Sequence, residues 1–451
     1  MTECTQSEFP FAAHHGRPVV ADFSGPATTS DGGALLLRQT ATRLNLLPRL
    51  AACFHDHRDP RYVQHPVEQL LAQRVYGLAL GYEDLNDHDQ WRHDPLLGLL
   101  AGKRQTQQPL AGKSTLNRLE LSTAEPTRYK KIDSDPDAID RLLVDLFLEA
   151  FPQPPRQIVL DLDATDLPLH GHQEQRFFHG YYDGYCYLPL YIFCGEHLLC
   201  ARLRPANQDA AAGCVEEVQR LVAQIRQAWP KVQMILRGDS GFCRDALMSW
   251  CESNRVDYVL GLARNSRLED SVAPWLANAR ARQTATGKPA RIFGEFVYQT
   301  VSGTWSRARR VVAKAEVLGD KENPRFVVTS LRGRRWGRRA LYEDVYCARG
   351  EMENRIKEQL SLFADRVSTE TMRANQMRLY LSGVAYVLVS ALRRLGLAGT
   401  ELGRAQATTI RLRLLKIGAQ VRVTARRVWV QMAGSFPLQD LFWRVAEQLR
   451  C

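Results

Sequence analysis

The spacing of apolar residues predicts a mainly helical region at the start of the chain. Apolar side chains recur every three or four positions in residues 34–50 and again in 66–84, as they do along one face of a helix. Pro66 suits the first turn of the second helix, because its missing N–H group would have no partner there. A proline-rich segment, 151–156, ends this region. We therefore predict a mainly helical domain over residues 1–155.

After this boundary the pattern changes to strands that alternate with helices. Five runs rich in β-branched residues and leucine predict strands: 157–165, 185–194, 197–205, 231–239 and 256–263. Gly195–Glu196 is the predicted hairpin turn between the second and third runs. Helical spacing at 210–230 and 244–255 separates the later strands. The alternation predicts an α/β domain whose first part covers residues 156–264.

The segment 265–340 interrupts this alternation. Three runs there predict antiparallel strands joined by polar turns: 289–301, 304–318 and 324–331. Helical patterns return in 341–400, and the last segment, 401–451, combines short strands with a terminal helix. We therefore predict that a β-rich insertion splits the α/β domain before its last helix.

Composition favours a folded protein and gives no sign of a membrane span. Of the 451 residues, 45% are hydrophobic and 24% charged, which is ordinary for a globular protein. No run reaches the about 18 apolar residues of a membrane helix. The nearest one, 379–392, contains polar residues, and we predict a buried helix. The first residues lack the basic and apolar regions of a signal peptide, so we expect a cytoplasmic protein.

Positive charge is concentrated at the C-terminal end. The net charge is +11, and residues 366–451 carry 14 basic and four acidic residues, so the rest of the chain is close to neutral. The alternation in 420–431 places Arg422 on the polar face of a strand, with Arg426 and Arg427 following it. A basic sheet edge of this kind suits the phosphate backbone of nucleic acid, although an ordinary solvated surface remains an alternative.

Three acidic sites are candidates for chemistry. Asp161 and Asp163 share one face of a strand whose other face is leucine, and a buried carboxylate needs a cation or a hydrogen-bonding partner. Asp239 directly follows another strand, between two glycines that permit a sharp turn. Glu353 lies on a predicted helix. For the aspartates the alternative is a turn or capping role, and for the glutamate an ordinary salt-bridged surface.

The predicted helix that carries Glu353 also brings other polar side chains to one face. Helical periodicity places Tyr346, Arg349, Glu353 and Lys357 together. Carboxylates from two strands and one helix can converge on a pair of hard cations, for which oxygen ligands suit Mg²⁺ or Mn²⁺. Such a pair of ions supports phosphodiester chemistry without a histidine. This agrees with a chain whose eleven histidines all lie at or before His197.

These residues carry a resemblance to a known family. The order Asp163, Asp239, a β-rich insertion and then Tyr346-x₂-Arg349-x₃-Glu353 resembles the DDE transposases of bacterial insertion sequences. The motifs DLDATD-x₃-HGHQE, RGDSGF and DYVLGLARN are similar, more narrowly, to the insertion-sequence-1380 group. The similarity extends from about residue 22 to the C-terminus, and it is specific as a set.

The resemblance implies a fold and a set of catalytic residues. It implies an RNase H-like catalytic core and a triad of Asp163, Asp239 and Glu353 holding two Mg²⁺ or Mn²⁺ ions. Asp161 remains a rival for the first position and a fourth metal ligand, and Glu351 is a weaker rival for the third. Related groups place a lysine seven residues after the glutamate, where this chain has Leu360.

Further residues take DNA-binding roles under the same resemblance. The basic role of the missing lysine passes to Lys357. Tyr346 and Arg349 would hold the phosphate near the cleaved bond. Trp305 is a candidate for stacking on an unpaired base, with packing in the sheet as the alternative.

The function expected from this resemblance is that of a transposase. It would cut DNA at the terminal inverted repeats of its own insertion sequence and join the ends to target DNA, as a homodimer on DNA associated with the nucleoid. Residues 1–155 would recognise the repeats. The alternative is a non-catalytic, sequence-specific DNA-binding regulator derived from a transposase. A third possibility, a carboxylate-pair hydrolase, needs neither the basic segment nor a divalent metal.

Overall fold

The computed structural model describes residues 9–105, 108–123, 125–301 and 303–450. Nineteen strands occur in these residues: β1 (Phe9–His14), β2 (Arg17–Ala21), β3 (Thr28–Thr29), β4 (Phe54–Asp56), β5 (Ile132–Ser134), β6 (Gln157–Ala164), β7 (Leu167–Pro168), β8 (Phe177–His179), β9 (Gly184–Tyr187), β10 (Leu190–Cys194), β11 (His197–Arg202), β12 (Gln233–Gly238), β13 (Asp257–Leu262), β14 (Ala290–Tyr298), β15 (Arg309–Leu318), β16 (Lys321–Glu322), β17 (Arg325–Thr329), β18 (Ala419–Val423) and β19 (Val428–Met432).

The same residues contain fifteen α-helices: α1 (Leu35–Arg43), α2 (Leu46–Ala51), α3 (Val67–Leu80), α4 (Asp87–Trp91), α5 (Pro95–Leu100), α6 (Lys113–Glu120), α7 (Pro136–Glu149), α8 (Cys214–Ala228), α9 (Asp245–Ser253), α10 (Ser266–Thr286), α11 (Arg338–Ala340), α12 (Gly350–Leu360), α13 (Met372–Gly396), α14 (Ala407–Ile410) and α15 (Gln439–Gln448). Among the described residues, no helix has the length and apolar character needed to cross a membrane.

The first of two compact units takes residues from both ends of the chain. Its described residues come from 9–51, 56–119 and 391–450. Inside it α1 packs against α15, α2 packs against α3, and the β18–β19 hairpin pairs with β3. The predicted helix over 34–50 is two helices, because Asn45 adopts the left-handed conformation with a φ of 47° between α1 and α2.

The second unit is built on a large mixed sheet. Its described residues come from 52–55 and 120–390, and the strands follow the order β11-β10-β6-β12-β13-β17-β15-β14, with β16 beside β15. The three central strands, β6, β12 and β13, are parallel, and the other pairs are antiparallel. The sheet therefore carries the ends of two neighbouring parallel strands, β6 and β12, at one edge, where α/β folds place ligands.

Apolar side chains on both faces of this sheet explain why the elements pack as they do. Leu160 and Leu162 of β6 share one core with residues of α7, α8, α9 and α10. On the other face, Ile235 and Val259 form a second core with the segment 341–345. Each face thus buries its own apolar residues, and the second core fixes the segment 341–349 against the sheet.

The structure corrects the sequence interpretation of several elements. The segment 265–340 opens with the long helix α10, and its strands β14, β15 and β17 extend the large sheet. β15 begins at Arg309, so residues 304–308 precede the strand. The predicted strand 185–194 is divided at Leu188–Pro189, where proline cannot donate to a ladder, and β9 joins β7 and β8 in a small separate sheet.

The compact units also cut across the predicted regions. Residues 136–149 form α7, which packs against β11 and α8 and so belongs to the sheet unit. Residues 401–450 belong to the unit that contains the N-terminal helices. The domain boundaries at residues 155, 264, 340 and 400 stay a prediction from the sequence.

Candidate active site

Two neighbouring pairs of polar residues lie on one face of the large sheet. β6 and β12 are parallel, and their register pairs Asp161 with Arg237. Because the same register pairs Leu162 with Gly238, the residues that come next along each strand, Asp163 and Asp239, lie side by side at the end of β12. Side chains two positions apart share a face. An ion pair is therefore followed, toward the edge of the sheet, by a pair of acids.

The inner pair is a buried, two-point ion pair. Arg237 Nε lies 2.5 Å from Asp161 Oδ1, and Arg237 Nη2 lies 2.8 Å from Asp161 Oδ2. Only 4% of Asp161 is exposed, and burial raises the pKa of its carboxyl group, which the bonds from Arg237 oppose. Both oxygens are occupied by the guanidinium. The structure thus argues against Asp161 as a metal ligand, and its physical role is to neutralise Arg237.

The outer pair consists of two acids, Asp163 and Asp239, so neither strand supplies a basic residue to it. Burial raises the pKa of Asp163 to about 6, and the negative charges of Asp239 and Glu353 add to this increase. Asp163 Oδ1 accepts a hydrogen bond from the N–H of Ala164 at 2.9 Å. Since both other carboxylates act on Asp163, the structure brings the three predicted triad residues into one electrostatic neighbourhood.

Asp239 is held by the turn that follows β12. Its Oδ1 accepts a hydrogen bond from the N–H of Gly241 at 2.8 Å, at the start of a short 3₁₀ turn. On the neighbouring strand, a Cβ atom added to Gly261 would lie 2.6 Å from the Tyr346 hydroxyl and 2.9 Å from the Ser240 nitrogen. Glycine at 261 therefore lets the tyrosine hydroxyl and the Asp239 turn approach β13 closely.

The segment that carries Tyr346 and Glu353 changes helical type at the site. Residues 341–346 form a π-helical turn, 347–349 a 3₁₀ turn, and α12 follows, so the predicted single helix is wrong in its geometry. Such π-turns are frequent at functional sites. The carbonyl oxygen of Val345 accepts a bond from Arg237 Nη1 at 2.5 Å. The inner ion pair thereby anchors this segment to the sheet.

Arg349 lies between two of the three carboxylates. Its Nη1 is 3.1 Å from Asp163 Oδ2, and its Nη2 is 3.4 Å from Glu353 Oε1. Glu353 is about half exposed, with 52% of its side chain accessible, whereas Asp163 is mostly buried. The guanidinium is the local counter-ion of the acids in this conformation.

The three carboxylates fit the hard divalent cations that the sequence resemblance implies. Three carboxylates from different elements provide the oxygen ligands that Mg²⁺ and Mn²⁺ prefer. Burial, and to a lesser extent the charges of Asp239 and Glu353, raises the pKa of Asp163, and added positive charge would favour its ionised form. In the part of the chain that the structure describes, no three His, Cys, Asp or Glu side chains are grouped closely enough to hold an ion. In this conformation the guanidinium of Arg349 lies between two of the three carboxylates, Asp163 and Glu353.

The other acidic and basic candidates on α12 lie outside this cluster. Glu351, the weaker rival for the third carboxylate, is 73% exposed and pairs with Arg355 at 3.5 Å. Lys357 is exposed one turn after Glu353. Lys357 is thus available to a ligand on the solvent side of the helix, and its role stays a prediction.

The structure does not support Trp305 as a base-stacking residue. Its side chain is buried, with 5% exposed, and its ring meets the ring of Tyr298 edge-on with centroids 5.6 Å apart. The Arg309 guanidinium covers the ring at 5.6 Å. This packing, rather than contact with a base, accounts for the tryptophan.

The three predicted arginines of the C-terminal segment lie in the first compact unit. Arg422, Arg426 and Arg427 are exposed on the β18–β19 hairpin and its turn. Arg422 and Arg427 lie 6.0 and 5.7 Å from the ring of Trp429, which is 41% exposed. The predicted alternation in β18 is confirmed, since Val421 is buried and Arg422 exposed.

Sequence reasoning missed three residues that shape the site. Arg237 lies in the motif RGDSGF, and Gly261 lies in DYVLGLARN. Arg237 stands two residues before Asp239, as Asp161 stands two residues before Asp163, and this matching spacing indicates that the two could pair. Burial raises the pKa of Tyr182 to about 12, with contributions from the charges of Asp163 and Asp239. Nothing in the sequence pattern distinguished this tyrosine from its aromatic neighbours.

Comparisons with known proteins identify a family. A family model described as "Transposase DDE domain group 1" matches residues 11–451. A search of curated proteins found no significant match. Among solved structures, the chain is similar to piggyBac transposase in a synaptic complex with hairpin DNA, with a TM-score of 0.42 and 11% sequence identity over 87% of this chain and 83% of that chain. Similarity at this level does not identify equivalent residues.

Proposed function

We propose a catalytic function from one established premise: the chain belongs to the family Transposase DDE domain group 1. Membership indicates a transposase that acts on DNA. We infer further that it is a bacterial insertion-sequence transposase of the 1380 group, located in the cytoplasm and associated with the nucleoid. It cuts DNA strands at the terminal inverted repeats of its own element and transfers the ends to target DNA.

The observation that carries this proposal is the paired register of β6 and β12. Asp163 and Asp239 lie side by side at the strand ends, and Arg349 links Glu353 to Asp163. The order of β11, β10, β6, β12 and β13, antiparallel and then parallel, is the arrangement expected of an RNase H-like core. A protein that only binds DNA has no physical reason to place acids beside each other, since like charges repel.

Each side chain of the site has a task in this proposal. Asp163, Asp239 and Glu353 would hold the divalent cations, whose chemistry would be to activate a water or 3′-hydroxyl and to stabilise the leaving oxygen. Arg349 leaves the carboxylates and grips a phosphate oxygen, for which the planar guanidinium is well shaped. Tyr346 donates its hydroxyl hydrogen to the same phosphate group.

DNA recognition is assigned to the other compact unit. The exposed arginines of the β18–β19 hairpin, Arg422, Arg426 and Arg427, contact the phosphate backbone. The helices of the N-terminal region read the terminal repeats. A homodimer is required to hold two ends of one element together.

A cleavage assay on the element ends tests the proposal. A plasmid carrying the gene's own flanking DNA is incubated with the protein and Mg²⁺, Mn²⁺ or EDTA, and the Glu353→Gln variant serves as a control of the same shape. We expect metal-dependent cutting at the ends that the variant abolishes. Binding to the ends without cutting by either protein would establish the non-catalytic regulator instead. Neither binding nor cutting would refute both assignments.

A further inference from the structure

A basic cavity lies at the edge of the large sheet opposite the candidate active site. It has a volume of about 540 Å³ and is lined at the starts of β12 and β13. Four of its lining side chains are basic, Arg226, Lys231, Arg255 and Arg335, and one, Asp257, is acidic. The lining thus has a net charge of +3, in a part of the chain that is close to neutral as a whole.

The cations of the basic cavity have no carboxylate partner within the described residues. Arg226 donates to the backbone oxygen of Arg255 at 3.1 Å, and Arg335 donates weakly to Gln233 Oε1 at 3.4 Å. The single acid, Asp257, accepts a hydrogen bond from Ser330 Oγ at 2.8 Å. Unpaired like charges around one concave surface repel each other, and an anion relieves that repulsion.

Arg255 supports the same interpretation through its backbone. It follows α9 with a φ of 55°, in the left-handed region that glycine or asparagine occupies at helix ends. A side chain with a Cβ atom is unfavourable in that conformation. Arginine at this position provides a cation at the cavity, although glycine would fit the backbone better.

The distance between the basic cavity and the carboxylates indicates how long a ligand must be to contact both. β12 spans Gln233–Gly238 from the cavity to the residue before Asp239, which is about 20 Å of strand. One strand of duplex DNA rises about 3.4 Å per nucleotide. A duplex that lies along the sheet therefore passes the cavity about six base pairs from the phosphate at the carboxylates.

We propose that the basic cavity binds the phosphate backbone of duplex DNA about six base pairs from the phosphate that is cut. This inference rests on the proposed function, because it takes its substrate from the DNA that the carboxylates process. The cavity binds without regard to base sequence, since its charged groups contact phosphate alone. It adds a second contact that fixes the direction of the duplex across the sheet.

A pair of charge-matched variants tests the proposal by DNA binding in EDTA. The cavity variant is Lys231→Gln with Arg255→Gly, in which glycine suits the left-handed backbone, so the fold is retained. The control is Arg282→Gln with Lys288→Gln, which removes two exposed charges at and beyond α10. Affinity for an end-containing duplex is measured as a function of salt. For the cavity variant we expect a slope in log K against log salt that is smaller by about 1.8 and a roughly tenfold weaker affinity.

Substrate length provides a second readout. Duplexes are shortened stepwise from either side of the cut phosphate, and the wild-type protein should lose affinity when fewer than about six base pairs remain on one side. The cavity variant should show no such step, and its thermal stability should equal or exceed that of the wild type. An unchanged salt slope, or the same length dependence in both proteins, would overturn the inference.

The cleavage assay separates this inference from the proposed function. If the cavity variant binds like the wild type and both cut element ends with Mg²⁺, only the basic cavity has been misassigned. If the wild type neither binds nor cuts element ends, the proposed function itself fails.

Discussion

The substitution Asp163→Asn should abolish catalysis and yet stabilise the metal-free protein. Burial and the neighbouring acids raise the pKa of Asp163 from 3.8 to about 6 in the folded chain. Above pH 6 the ionised carboxylate therefore costs the fold about 3 kcal/mol relative to the unfolded chain. Asparagine has the same shape without the charge. The variant should be more stable by up to this amount at pH 7.5.

The sign of this effect follows from the direction of the pKa shift. A carboxyl group with a raised pKa binds protons more tightly in the folded state, so its penalty is complete above pH 6 and disappears below pH 3.8. The advantage of asparagine should thus fall to roughly half between pH 7.5 and pH 5. In a unit of this size, each kcal/mol raises the melting temperature by about 2 °C, which predicts a gain of up to about 6 °C at pH 7.5.

Thermal unfolding in EDTA between pH 5 and pH 8 measures the effect. Asp320→Asn is the matched control, because it removes the same charge from an exposed turn after β15. Added Mg²⁺ should stabilise the wild type and the control more than Asp163→Asn. A melting temperature below that of the wild type at pH 7.5, or a difference that does not change with pH, would refute the electrostatic account of this site.

Three further substitutions test the surrounding contacts. Arg237→Met should lower the free energy of unfolding by about 3–5 kcal/mol, because it leaves Asp161 buried and unpaired. The double variant with Asp161→Leu should recover most of that stability, and urea denaturation measures both. Gly261→Ala should reduce strand cutting on the order of 100-fold by displacing the Tyr346 hydroxyl, with unchanged DNA affinity; normal cutting would contradict that placement. Arg349→Ala should tighten Mn²⁺ binding without DNA, measured by electron paramagnetic resonance, while cutting falls; weaker Mn²⁺ binding would show that the arginine does not compete with the ion.

Local patterns predicted the strands of the core but not how far the sheet extends. Alternation in β6 and the apolar run of β13 are local properties, and both strands are confirmed. The joining of β17 to β13 depends on pairing between residues about seventy positions apart, such as Val259 with Thr329. No periodicity within either strand specifies that pairing. The segment 265–340 could therefore be interpreted as a separate insertion.

The same limit applies to the candidate site. The period of two placed Asp161 and Asp163 on one face but could not say which of them is neutralised. That distinction comes from the register of β6 against β12, which sets Arg237 beside Asp161. The residue names alone offered two aspartates of equal standing. In the fold, Asp161 neutralises Arg237, whereas Asp163 lies beside Asp239 and is the candidate ligand for a cation.

The low net charge of the sequence before residue 366 does not reveal that acidic and basic groups lie at opposite edges of the large sheet. The sequence up to residue 365 is nearly neutral because acidic and basic residues are almost equal in number. In the fold, acids lie at one edge of the sheet and the basic cavity at the other. The about 20 Å between these edges exceeds the Debye length of about 8 Å at physiological ionic strength. We therefore expect the two edges to act on DNA independently.

It follows that removal of the divalent cation should separate binding from cutting. The acids repel a phosphate until a cation is bound, whereas the arginines and lysine of the basic cavity attract one regardless of metal. In EDTA the wild-type protein should retain most of its affinity for an end-containing duplex and lose strand cutting completely. A mobility-shift assay beside the cleavage assay measures both. Loss of binding together with cutting would show that the metal site, and not the opposite edge, holds the DNA.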